Sequence, residues 1–88
     1  MTTVTVVTGD PRSGKMLVGA ALAEYINKGD LTTAVTVEKH TPLYADSVPA
    51  PEDLILISTT TKSEKWMLPW FKRYGDPMFH VHIKRLQP

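Results

Sequence analysis

The sequence predicts one small α/β domain, built on an open, mostly parallel sheet of about four strands with helices on its faces. Three observations carry this. Runs of strand length, β-branched or continuously apolar, are separated by stretches of helical periodicity. The segment Asp-Leu-Ile-Leu-Ile-Ser at 53–58 is apolar without alternation, as in a strand buried on both faces of a parallel sheet. The first strand leads through a Gly-containing turn straight into a helix, the opening of a right-handed crossover.

Residues 3–8 are β-branched throughout and stopped by Gly9. A helix follows over 14–28. Leu17, Val18, Ala21, Leu22, Tyr25 and Ile26 follow the i, i+1, i+4, i+5 pattern of one buried face. Ser13 is the expected N-cap, and Lys28-Gly29 supplies a cation in the last turn and a C′ glycine. Residues 32–39 form a second β-branched strand. Residues 40–52, with Pro42, Pro49 and Pro51, read as an irregular link standing in for a helix. After the strand at 53–58, residues 59–68 are polar loop, and Pro69 opens a short helix that Gly75 ends at 74. The last strand, 78–86, alternates Phe79, Val81 and Ile83 against His80, His82 and Lys84. One polar face means that the sheet ends there, or that its open face meets a partner.

Length and composition narrow the classes. With 88 residues the chain is a single domain with a thin stability margin. It contains no cysteine, which excludes disulfides and thiolate metal sites and suits a reducing compartment. No apolar run reaches the roughly 20 residues of a membrane span, and the N-terminus has no secretory signal pattern. The expectation is a soluble, cytoplasmic protein without a membrane partner. Charge is uneven. Residues 1–58 set Arg12, Lys15, Lys28 and Lys39 against seven acids, whereas residues 59–88 set six cations against Glu64 and Asp76. The C-terminal third is thus mildly basic, read first as a solvated surface.

The chemistry concentrates in Thr8-Gly9-Asp10-Pro11-Arg12-Ser13-Gly14-Lys15. A strand, a Gly-containing turn and a helix N-terminus together make an anion site, because the first helical N–H groups lack partners and the helix dipole favours negative charge. The string matches Gly-x-x-x-x-Gly-Lys-[Ser/Thr] except that Met16 holds the last place. The apolar strand ends Ile57-Ser58-Thr59, without an acid. Both side chains that hold Mg²⁺ in P-loop NTPases are therefore missing, which argues against an active NTPase.

Three segments resemble the flavodoxin-like family. Residues 6–29, with Thr8-Gly9…Ser13-Gly14 and then Leu22-Ala23-Glu24, are similar to its FMN-phosphate loop and first helix. Residues 52–60 resemble its third strand and the Ser/Thr-rich loop beside the flavin, and Met67-Leu68-Pro69-Trp70-Phe71 its following Pro-led helix. The resemblance implies a truncated flavodoxin-like domain over 1–88 that binds FMN and carries electrons. It places Thr8, Gly9, Asp10, Arg12, Ser13, Gly14 and Lys15 around the phosphate. Ser58, Thr59, Thr60 and Thr61 would hydrogen-bond the ribityl chain or ring edge, and Trp66 would stack on the ring. The loops after strands one and three would face each other across one crevice. The chain is shorter than a flavodoxin, so a dimer would complete the site and cover the last strand.

Two other functions stand beside this. One is a cofactor-free regulatory or interaction protein, viral by its size, contacting its partner through Trp66, Trp70, Lys72 and Arg73. The other is a nucleotide binder with a degenerate P-loop and no turnover. Trp66, Trp70, Phe71 and Tyr74 at helical spacing read first as core, then as a flavin platform or partner surface, and last as a single-stranded nucleic-acid site. His80 and His82 lack a third ligand for a metal. No hydrolytic or covalent catalytic set is recognisable.

Overall fold

The computed structural model describes residues 1–28, 33–43 and 49–84. Its elements are β1 (Thr3–Gly9), α1 (Lys15–Asn27), β2 (Ala34–Val37), β3 (Asp53–Ile57), a 3-10 turn (Lys65–Met67), α2 (Leu68–Tyr74) and β4 (Phe79–Ile83). All three strand pairings are parallel, giving one four-stranded sheet in the order β2-β3-β1-β4. The open parallel α/β architecture is the one the sequence predicts. The order is not that of flavodoxins, where β2 flanks β1. Here β3 lies between them, so the first crossover spans two strand positions.

Both central strands are buried on both faces. Towards α2 lie Val4, Val6, Leu54 and Leu56, closed by Met67 and Trp70, with Trp66, Phe71 and Tyr74 packed at the margin. Towards α1 lie Val7, Ile55 and Ile57 with Ala23 and Ala34, flanked by Leu22, Ile26, Val81 and Ile83. Alternation along β3 sends Leu54 and Leu56 one way and Ile55 and Ile57 the other, which explains its unbroken apolar run. β4 is an edge strand. Among the described residues no helix is long and apolar enough to cross a membrane.

Helix α1 departs from its expected phase. Its buried residues are Lys15, Gly19 and Ala23, with Leu22 and Ile26 half-buried, while Leu17, Val18, Ala21 and Tyr25 are exposed. The cause is close packing at Gly19. A Cβ there would lie 2.6 Å from Ile57 Cδ1, so this glycine is where the helix touches the sheet. The N-cap is Gly14, in the left-handed region at φ 85°, and no side chain caps the helix, so Ser13 does not fill that role. Lys28 takes the left-handed C-cap conformation, its N–H on Glu24 O. Gly29, Thr32, Arg85 and Leu86, assigned above to the helix end and to strands, lie outside the described residues. So does part of the 40–52 link. Pro69 sits in the first turn of α2 and Gly75 ends it, as expected.

Candidate phosphate-binding site

Because every strand runs the same way, the loops leaving β1, β2 and β3 gather at one edge of the sheet. Helix α1 departs over one face and α2 over the other, which opens a crevice between the ends of β1 and β3. A cavity of about 610 Å³ lies there. Pro11, Arg12, Lys15 and Met16 line it from β1 and α1, residues 38–42 from the end of β2, and Ile57, Ser58 and Thr59 from β3. The lining carries Arg12, Lys15 and Lys39 against Glu38, so positive charge prevails.

Lys15 is the organising residue. Its side chain is 8% exposed. It folds back over the turn, and Nζ donates to Gly9 O at 2.6 Å and to Asp10 O at 3.4 Å. An ammonium has three donors, so with two on carbonyls one remains for an anion. The turn is closed by Ser13 N–H on Asp10 O at 3.1 Å. Arg12 at φ 63° and Gly14 at φ 85° both adopt left-handed conformations. For a non-glycine residue this costs about 1 kcal/mol, so the turn shape is imposed by its surroundings. Left-handed residues at alternate positions, 12 and 14, directly before a helix N-terminus give a turn of the kind that can cradle an anion.

The structure brings Arg12, Lys15, Ser58 and Thr59 together at the cavity wall. It sends the other sequence-derived candidates elsewhere. Thr8 is fully buried on the α2 face, where its hydroxyl lies 2.6 Å from His80 Nε2 and 2.7 Å from His82 Nδ1. Asp10, Thr60 and Thr61 are exposed off the cavity wall. Gly9 and Gly14 contribute turn geometry. Ser13 Oγ is enclosed and has no hydrogen-bond partner among the described residues. A buried orphan hydroxyl costs about 1–3 kcal/mol. Ser13→Ala is therefore expected to raise stability by about 1 kcal/mol in urea titration and to leave anion affinity unchanged.

Trp66 also stands away from the cavity, its indole Nε1 donating to Glu64 Oε1 at 2.9 Å. Glu64 is the residue that sequence reasoning counted only as a charge. Its carboxylate also accepts Thr59 N–H at 2.7 Å, Thr59 Oγ1 at 2.8 Å and Ser58 Oγ at 3.1 Å. It thereby ties the loop that leaves β3 into one shape. Partial burial pushes the carboxyl up. The hydrogen bonds from the Thr59 backbone, Trp66, the Thr59 hydroxyl and Ser58 outweigh this and bring it from 4.5 to about 2. The depressed value means that ionised Glu64 stabilises the fold above about pH 4.5, and that this is lost as pH falls toward 2. With the carboxylate partly open to water, the contribution is about 1–2 kcal/mol. Glu64→Gln should lower the melting temperature at pH 7 and flatten its fall between those pH values.

The wall built from residues 38–42 was likewise missed, because proline content alone marked that link as irregular. Among the described residues no three metal-ligating side chains cluster. Position 16 carries an exposed thioether, and β3 ends at Ile57 with Ser58 after it, not an acid. The site can hold an anion, but its protein groups offer little to a divalent cation. Comparison with models of known families, with curated proteins and with solved structures found no match to this chain.

Proposed function

We propose that this domain binds the phosphate chain of a nucleotide at residues 9–15 without hydrolysing it. The observation that carries this is Lys15, buried and fixed on the turn's own carbonyls in the lining of an electropositive cavity. A cation pre-positioned in this way costs little entropy when a phosphate arrives. Met16 and Ser58 supply neither the hydroxyl nor the carboxylate that positions Mg²⁺ for phosphoryl transfer.

FMN would place its own phosphate on the same turn, as the flavodoxin resemblance implies for an electron carrier. Two observations favour the nucleotide. The strand order is not that of flavodoxins, and Trp66, the expected ring platform, is engaged by Glu64 outside the cavity. A cytoplasmic location fits either ligand.

Calorimetric titration with ATP, GTP, FMN and inorganic phosphate, each with and without Mg²⁺, tests this reading. Saturable binding of a nucleoside triphosphate is expected, indifferent to Mg²⁺ and weakened at least about tenfold by Lys15→Ala. Binding of FMN alone would establish the flavin reading in its place. Binding of none, or Mg²⁺-stimulated hydrolysis, would overturn the proposal.

A further inference from the structure

The outer edge of β4 has no pairing strand among the described residues. Its register on β1 runs unbroken from Thr5↔Phe79 to Gly9↔Ile83, so no bulge twists it away. Within Phe79–Ile83 there is no lysine or proline, the usual devices that blunt an exposed edge; Pro77 and Lys84 stand just outside it. Its α1-side face is apolar and not fully covered: Phe79 is 57% exposed, and Val81 and Ile83 are half-buried.

We infer that β4 pairs antiparallel with β4 of a second copy, joining two sheets of four strands across a two-fold axis at Val81. The reason is the symmetry of the strand itself. A two-fold interface requires that residue i meet j and that j meet i. Phe-His-Val-His-Ile has the same chemical pattern read in either direction from Val81. With the axis there, Phe79 faces the second copy's Ile83, His80 faces its His82, and Val81 faces Val81. All five residues pair. Each meets one of the same parity, so outward backbone groups meet outward backbone groups and side chains stay on matching faces. The apolar ladder lies on the α1 face and the histidines on the other, where Thr8 already holds both rings.

Two further observations fit a second copy as the occupant. Ala20, Ala23, Glu24 and Asn27 flank β2, so Val18, Leu22 and Tyr25 lie on the opposite flank of α1, the side towards β4. Val18 and Tyr25 are 37% and 71% exposed. In the pair these stripes come from both copies onto one face of the joined sheet and border the ladder. The net charge of +1 puts little repulsion between copies. This inference is independent of what the cavity binds.

Three measurements on the full chain decide it. Light scattering after gel filtration at about 100 μM should give the mass of a dimer. Phe79→Lys should weaken association at least about tenfold. Mixing it with Ile83→Glu should restore a heterodimer, since one cross-strand pair becomes Lys–Glu and the other stays Phe–Ile. Because the chain has no cysteine, Val81→Cys should form a disulfide-linked dimer on mild oxidation, whereas Thr36→Cys on the other sheet edge should not. The cross-link is read on an otherwise native surface, so it decides the matter even if Phe79→Lys fails to fold. A monomer at that concentration, or a dimer that Val81→Cys does not cross-link, would overturn the inference.

Discussion

Trp70→Ala should remove about half of the domain's stability. Trp70 is 2% exposed and packs with Met67 against Val4, Val6, Leu54 and Leu56. Its ring stacks on Tyr74 at 5.9 Å between centroids. Helix α2 has seven residues, too few to persist without packing. Trp70 is its main attachment, so the helix leaves with the ring. Truncating a buried tryptophan costs about 3–5 kcal/mol, and a domain of this size has only about 5–10 kcal/mol in all. The melting temperature should fall by at least about 15 °C, with earlier loss of far-ultraviolet helix signal. Leu68→Ala on the same helix removes a 59% exposed side chain and should change stability by less than about 0.5 kcal/mol. If Trp70→Ala melts within a few degrees of the native chain, α2 is held by something else.

That expectation also bears on the idea of a basic, aromatic contact surface in the C-terminal third. Lys72 and Arg73 are exposed, but Trp70 is core and Trp66 is tied to Glu64. A partner lost on Trp70→Ala would therefore report lost packing of α2, not a removed contact. The uncovered apolar surface is instead on α1, where the sequence had placed a buried helix face, and at Phe79 on β4.

The reason for that misplacement is physical. Between Met16 and Ile26 only Glu24 is charged, so hydrophobic periodicity cannot phase the helix. Gly19 and Ala23 decide it by letting the backbone approach Ile57, a close-packing effect that hydropathy does not record. The strands were legible because β-branching and the unbroken run at 53–58 are local signals. Their order was not, since placing β2 beyond β3 depends on contacts far apart in the chain. At the site, the glycines and Lys15 were readable from their spacing before a helix. Glu64 was not, because a carboxylate that gathers donors from Ser58, Thr59 and Trp66 follows no fixed spacing. The cavity wall at 38–42 could have been inferred from parallelism alone, since a second parallel strand must end at the same edge as the first.

Gly9→Ala should damage the fold and the site together. Gly9 has no left-handed torsion to protect; its need is for space. A Cβ there would stand 2.7 Å from Ile83 O and 2.7 Å from Ser13 Oγ, with Ile83 Cβ at 3.2 Å. A hydroxyl can turn aside, but a strand carbonyl moves only with its strand. The methyl group therefore pushes the end of β4 away from β1. It also shifts a residue whose N–H holds Thr60 O at 3.0 Å and whose carbonyl holds Lys15 Nζ. Overpacking of this kind costs about 1–3 kcal/mol, and the backbone contact puts it in the upper half of that range. Phosphate binding should fall with it, because Lys15 loses its nearer acceptor. Adding Ser13→Ala relieves one of the two clashes, so the double variant should recover part of the stability, and more than Ser13→Ala contributes alone. If Gly9→Ala keeps native stability and native anion affinity, β4 does not lie against the turn, and the geometry that fixes Lys15 over Gly9 is wrong.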